Sequence, residues 1–228
     1  MMLQKASDIT RFCARLAYHF KQTALLQQAL THRSVRAQNN ERLEFLGDSV
    51  LNLVITALLL ARFPEHAEGR LSRMRAVLVR EETLAEVALK LEIGDIVKLG
   101  PGELRSGGHR RKSILADALE AVFGAIYLDG GFDAIKGVIE RLFDERCDPN
   151  ALEDKMFDHK SSLQEYLQSK KKPLPVYTLT RVTGELHEQI FHVSCAVLGV
   201  SVEGKGQGVS RREAEQAAAY QLLRQLKK

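Results

Sequence analysis

The chain has 228 residues, 33 basic and 29 acidic, with 45% hydrophobic and 27% charged positions and a formal charge of +4. This composition excludes wholesale disorder and collagen-like structure, and the length suits one large or two small domains, each able to bury a core. The cysteines, Cys13, Cys147 and Cys195, are odd in number and form no Cys-x-x-Cys pair, which argues against a disulfide framework or a thiolate zinc site. The longest apolar run, 49–61, is interrupted by Asn52 and Thr56 and is too short and polar to cross a bilayer. The first ten residues hold no apolar stretch of the signal-peptide kind, so a cytoplasmic protein is expected.

In chain order, apolar residues recur at three and four spacing through 9–20, 25–31, 41–63, 71–91 and 114–128, which predicts helix after helix. Gly and Pro punctuate them at Pro64, Gly69, Gly94, Gly100-Pro101-Gly102, Gly107-Gly108 and Gly130-Gly131. No strand series interrupts this part, so it is expected to be an all-α domain over 1–148. A polar stretch carrying Pro149 follows and reads as a linker over 149–157. The remainder, 158–228, changes character. A short amphipathic helix at 161–169 ends at Lys170-Lys171-Lys172-Pro173, and alternating β-rich runs follow at 176–182 and 190–197. A third short strand is expected at Val200-Ser201-Val202, and a closing helix over 210–226 with Ala214, Ala217, Ala218, Leu222 and Leu223 inward. The fold class is thus multi-domain, all-α followed by a small α+β unit of order α-β-β-β-α.

Charge divides along the same line. Residues 1–155 hold 22 basic and 22 acidic side chains, and residues 156–228 hold 11 and 7, so the whole excess of 11 − 7 = 4 lies in the second part. A basic small domain points to an anionic partner.

The sharpest local feature is Asn40–Leu51, NERLEFLGDSVL. At 3.6 residues per turn Glu41, Glu44 and Asp48 fall within roughly 60° of one another. A solvated face is the ordinary explanation of such a stripe, but Leu43, Phe45, Leu46, Val50, Leu51, Val54 and Ile55 make this helix apolar almost all round. The helix from Ile114 repeats the pattern, apolar except for Asp117 and Glu120, three apart on one face. Carboxylates converging between two buried helices would repel and raise their pKa values unless a divalent cation intervenes, and all-oxygen ligation favours Mg²⁺ or Mn²⁺ over zinc. A di-iron bundle would need Glu-x-x-His, which the chain lacks. A carboxylate-bound Mg²⁺ site with open positions suits phosphodiester hydrolysis. Glu68, at the start of a helix, is explained by the helix dipole alone.

Three groups of lesser weight complete the pattern. His32 is read as a structural hydrogen-bonding residue. Arg110-Arg111-Lys112, before the expected N-cap Ser113, is either solvated or a phosphate contact. In the closing helix Ser210 and Glu213 form a capping box, while Arg211 and Arg212 occupy a first turn where the dipole disfavours cations, which suggests an external anion such as phosphate.

On these residues the chain resembles bacterial ribonuclease III. NERLEFLGDSVL, Thr31-His32-Arg33-Ser34 and Ile114–Gly131 (ILADALEAVFGAIYLDGG) resemble the endonuclease domain, and the α-β-β-β-α end resembles a double-stranded RNA-binding domain. The resemblance implies a Mg²⁺-dependent endoribonuclease, with Mn²⁺ able to substitute, acting as a homodimer on double-stranded RNA, without membrane or organic cofactor. Precursors of rRNA and mRNA are the implied substrates, and the products carry 5′-phosphate and 3′-hydroxyl ends with short 3′ overhangs. It implies Glu44, Asp48, Asp117 and Glu120 as metal ligands, Asp48 and Glu120 as the most critical for catalysis, and Glu41 and Glu68 as accessory members of the acidic cluster. Asn40–Val50 would line the dimer contact. Ser161, Gln164 and Glu165 would touch one minor groove, His187 the next, and Ser210, Arg211 and Arg212 the phosphates between. The chain departs from the general duplex-binding pattern at Glu215, where a third basic residue is common, and the departure is expected to weaken binding outside the context of the full dimer. The alternative is a non-cleaving double-stranded RNA-binding protein of regulatory or ribosome-associated role, which shares the second domain and parts at the carboxylates.

Overall fold

In the computed structural model the described residues are 2–149, 152, 159–184 and 189–227. Two units divide the chain, Met1–Asp154 and Lys155–Lys228.

Helices α1 (Met2–Leu16), α2 (Thr23–Ala29), α3 (Glu41–Arg62), α4 (Glu68–Val79), α5 (Glu81–Lys90), the short α6 (Ile93–Ile96) and α7 (Pro101–Arg105), and α8 (Lys112–Phe143) build the first unit. α8 is its axis. Its first half is buried nearly all round, with Leu115, Ala118, Leu119, Ala121, Val122, Phe123 and Ala125 fully inside, as its apolar sequence demands. Gly131 (φ +80°) kinks α8 and starts a second half that continues to Phe143. α3 packs along α8, and the two backbones meet at Gly47 and Gly124. A Cβ on Gly47 would overlap the Glu120 carbonyl, and one on Gly124 would overlap the Leu43 carbonyl. No other residue type permits this approach.

α3 has the length and hydropathy of a membrane span. Its apolar residues Leu43, Val50, Leu51, Val54, Ile55 and Leu59 instead form the core against α8. The expected single helix over 71–91 is two, because Arg80 is extended (φ −70°, ψ 155°). The Thr83 hydroxyl caps the break by donating to the Val77 carbonyl at 2.7 Å. No Gly or Pro marks the spot, so periodicity ran straight through it. Ser113 does not cap α8, which begins one residue earlier with Arg111 as its flanking residue. Asp129 acts across the fold: its carboxylate accepts from the Tyr18 hydroxyl (2.6 Å) and from the backbone N–H groups of Lys21 (2.8 Å) and Gln22 (2.7 Å), thereby supporting the start of α2.

The second unit is α9 (His159–Ser169), strands β1 (Val176–Thr183), β2 (Ile190–Ala196) and β3 (Gly204–Gly208), and α10 (Arg211–Leu226). The sheet is antiparallel in the order β1-β2-β3, with an irregularity in β1 between Leu179 and Arg181. Leu163 and Leu167 of α9, Val193 and Cys195 of β2, and Ala214, Ala218, Ala219, Leu222 and Leu223 of α10 make its core. Ala217 is only partly buried and Ala219 takes the inward place expected for it.

The third strand is not at the β-rich Val200–Val202 but at Gly204-Lys205-Gly206-Gln207-Gly208. Close packing overrides propensity here. Cβ atoms on Gly204, Gly206 and Gly208 would overlap the Ala218 carbonyl, the Ala214 carbonyl and the Glu213 side chain, so bare glycines let α10 lie against the strand.

Candidate active site

The start of α3 is pinned to the segment before it. Asn39 Oδ1 accepts the Glu41 N–H at 3.0 Å, and the Asn40 N–H donates to the Thr31 carbonyl at 2.9 Å. One turn on, Glu44 faces α8, and the Gly47–Gly124 crossing brings α3 close enough for side chains to converge. Carboxylate oxygens of Glu44, Asp117 and Glu120 lie within 4.8 Å of one another, all three partly buried. At an effective dielectric of 20, two unit charges at that distance repel by about 3.5 kcal/mol, so three ionised groups there strain the fold unless a cation intervenes.

The acid strengths reflect this. Burial, then the charges of Asp48, Glu44 and Asp117, push Glu120 up to about 8. Burial and then Asp117 raise Glu44, with Glu41 and Asp48 adding and Arg33 opposing. Burial and then Glu81 raise Asp117, against His32 and Arg33. Among the described residues no lysine or arginine pairs with any of the three. Arg33, the cation that Glu44 and Asp117 both feel, makes its ion pair with Glu41 at 3.5 Å. An all-carboxylate, uncompensated pocket fits a hard divalent cation.

Asp48 stands at the rim, exposed, with its Oδ1 accepting from Asn52 Nδ2 at 2.8 Å. It is close enough to raise Glu120 and Glu44 but outside the tight trio. Glu41 is also exposed, held by Arg33 and by Asn39 Nδ2 at 3.0 Å. Glu68 sits apart, accepting from the Ser72 hydroxyl at 2.6 Å in a groove of 350 Å³ lined by Thr56, His66 and Arg75. It is not among the groups that shift the three carboxylates.

His32 is buried and structural in its bonds: Nδ1 receives the Ser34 N–H (3.2 Å) and pairs with the Ser34 hydroxyl (2.8 Å). Of the basic run, Arg111 is engaged locally with Glu103 (2.9 Å) and Ser106 (3.1 Å).

In the second unit Ser161, Gln164 and Glu165 share the exposed face of α9, opposite Leu163 and Leu167. Ser210, Arg211 and Arg212 are exposed at the start of α10. Ser210 Oγ accepts the Glu213 N–H at 3.2 Å, while the Glu213 carboxylate reaches back to the Val209 N–H at 3.0 Å, one residue before the expected partner. His187 lies outside the described residues.

Sequence reading missed the two glycines that set the site's width, the Arg33 charge beside it, and Asn52 on Asp48. Asn52 has a sequence signal, four residues after Asp48 on the same stripe. Gly47 and Gly124 have none separable from ordinary helix glycines.

The chain matches the family model described as Ribonuclease-III-like over residues 22–146, and the Double-stranded RNA binding motif over 159–226. It is 53% identical over 219 residues to Ribonuclease 3 of Legionella pneumophila strain Philadelphia 1, covering 96% of this chain and 98% of that one. To Ribonuclease 3 of Vibrio cholerae it is 51% identical over 218 residues, 96% and 97% of the two chains. Among solved structures, it is similar to the nuclease domain of ribonuclease III from Campylobacter jejuni, described for flexibility in a region involved in dimer formation. That match has a TM-score of 0.60 and 45% identity, covering 61% of this chain and 98% of that one.

Proposed function

The chain belongs to the ribonuclease III family and is an endoribonuclease of double-stranded RNA with its own duplex-binding domain; from that premise we propose that it cuts with Mg²⁺ held by Glu44, Asp48, Asp117 and Glu120. The observation that carries this is the trio of carboxylate oxygens within 4.8 Å, with no lysine or arginine paired to it among the described residues. A cation held there would supply an activated water for attack on phosphorus and charge to stabilise the leaving oxygen. The residues do the rest. Glu44, Asp117 and Glu120 supply a rigid three-sided oxygen cradle on two packed helices. Asp48, steadied by Asn52, adds a ligand from the open rim. Glu41 and Glu68 contribute accessory acidic charge, Glu41 at this rim and Glu68 from its separate groove. The products carry 5′-phosphate and 3′-hydroxyl ends with short 3′ overhangs, and structured rRNA and mRNA precursors are the substrates.

The working form is a homodimer, each subunit cutting one strand. Along α3, Phe45 (80% exposed), Leu53 (57%) and Leu60 (55%) fall within about 80° of one another, an apolar stripe without cover. Beside Phe45 runs a groove of 690 Å³ lined by Leu25, Leu43, Leu46 and Leu128. A self-complementary pairing sends each Phe45 toward the other subunit's groove. Over 159–227, Ser161, Gln164 and Glu165 contact one minor groove and Ser210, Arg211 and Arg212 the phosphates, with His187 assigned to the next minor groove. The domain limits are 1–148 and 158–228, with 149–157 between.

Purified protein incubated with a long RNA duplex in Mg²⁺ or EDTA tests the reading. Cleavage in Mg²⁺ alone is expected, and Glu120→Gln or Asp48→Asn abolishes it while duplex affinity holds. Metal-independent cleavage, or full activity in Glu120→Gln, overturns the ligand assignment.

A further inference from the structure

Glu215 is the position where this chain sets an acid in place of a common third cation, and charge counting makes it a defect in a surface that grips RNA. The structure gives it other work. The side chain is only 14% exposed. One carboxylate oxygen accepts from Lys160 Nζ at 2.7 Å and the other from Arg211 Nε at 3.0 Å. Lys160 immediately precedes Ser161 on α9, and Arg211 opens α10. Its neighbour Gln216 adds a bond across the same gap, Oε1 accepting the Lys160 N–H at 3.2 Å. Lys160 Nζ also lies 4.5 Å from the centre of the Tyr177 ring, which fixes it from the strand side.

We propose that Glu215 is a positioning residue for duplex recognition: its carboxylate ties Arg211 to Lys160, and so sets the spacing between the phosphate-gripping turn of α10 and the minor-groove face of α9. This rests on the reading of Arg211 as a phosphate contact. Three physical points support it. A guanidinium held through Nε leaves its Nη groups to meet phosphate, so the fork is partly ordered before phosphate arrives. Ordering a long side chain in advance removes a cost that binding otherwise meets. Shape readout of A-form RNA depends on holding two contact elements a fixed distance apart, and a bridge between their first turns does that. Glu215 is itself held as the carboxylate: the Lys160 bond, then the Arg211 bond, keep its acid below the usual glutamate range.

The sign of one measurement decides. On charge alone, Glu215→Gln removes a negative group from an RNA-binding surface and tightens duplex affinity. On positioning, it frees Arg211 and weakens affinity, by about threefold to tenfold, the span of one side chain's ordering. The full-length protein is titrated with a long RNA duplex in Ca²⁺ or EDTA at fixed salt, and cleavage in Mg²⁺ is followed in parallel. Weaker binding with kcat unchanged at saturating duplex is expected. Glu215→Asp, which keeps the charge but shortens the reach by one methylene, is also expected to weaken binding, and gives the same decision if the Gln variant melts early. In an Arg211→Ala background, Glu215→Gln is expected to lose most of its effect. Unchanged or tighter binding in Glu215→Gln or Glu215→Asp, with Arg211→Ala still weakened, overturns the positioning role alone. Unchanged binding in Arg211→Ala overturns the phosphate-grip reading beneath it.

Discussion

Gly47→Ala is the most economical way to test whether the α3–α8 crossing sets the catalytic geometry. Within a helix, alanine is favoured over glycine by about 1 kcal/mol, so local propensity predicts a stabilised protein. The tertiary structure predicts the reverse. The new Cβ overlaps the Glu120 carbonyl oxygen and stands 2.6 Å from its carbon and 2.9 Å from the Gly124 nitrogen. These are backbone atoms in a buried helix and have no rotamer to yield. Relieving the overlap with the carbonyl oxygen, the nearest atom, needs the helices to part by about 1.5 Å. Overpacking of this kind costs about 1–3 kcal/mol, and here the upper end applies because backbone meets backbone. Set against the propensity gain, the net loss is about 2 kcal/mol, or roughly 4–8 °C in Tm for a protein of this size. Glu44 and Asp48 ride on α3, so they recede from Asp117 and Glu120 by a similar distance, and a displacement of about 1 Å can already cost about 100-fold in rate. Thermal melting and single-turnover cleavage in Mg²⁺ read the two effects separately, and duplex affinity serves as the control, since the second unit is untouched. A Gly47→Ala protein with unaltered Tm and full cleavage would refute the claim that this crossing governs the site.

The acid strength of Glu120 gives a pH signature. Its folded-state pKa, raised to about 8, lies above the unfolded value, so its contribution to stability is complete below about 4.5 and is lost as pH rises through 8. In metal-free protein Glu120→Gln should therefore raise Tm at pH 8 and leave it unchanged near pH 4.5; equal shifts at both pH values would contradict the strained-carboxylate account. Divalent cations compete with that proton, so Mg²⁺ should raise Tm more at pH 8 than at pH 6 in the parent protein, measured by differential scanning calorimetry. Phe45→Glu places a charge on the apolar stripe of α3 and should shift the protein from dimer to monomer in sedimentation equilibrium, with unchanged helicity; an intact dimer would show that the subunits meet elsewhere. Removing residues 156–228 should weaken duplex binding at 150 mM salt and leave cleavage that recovers partly at low salt, because the whole net charge of +4 resides there. A truncated chain with the parent's salt dependence would remove the phosphate contacts from that domain.

Much of the chemistry was legible in the chain alone. Charge stripes at helical spacing put Glu41, Glu44 and Asp48 on one face and Asp117 with Glu120 on another, because three- and four-residue spacing fixes azimuth whatever the helix packs against. The apolar setting of those stripes marked them as more than solvated faces, and the concentration of basic excess after residue 155 marked the binding half. Distance between elements was another matter. Nothing local reveals that Gly47 and Gly124 meet, and it is that meeting which closes Glu44, Asp117 and Glu120 to within 4.8 Å and leaves Asp48 at the rim. The same kind of contact moved the third strand from Val200–Val202, where propensity favours it, to a run of glycines that α10 can lie against. It also turned Glu215, a liability by charge counting, into the bridge between Lys160 and Arg211. Periodicity along a chain encodes direction. Close approach between backbones, and the pairing of charges from separate helices, exist only once the elements are packed.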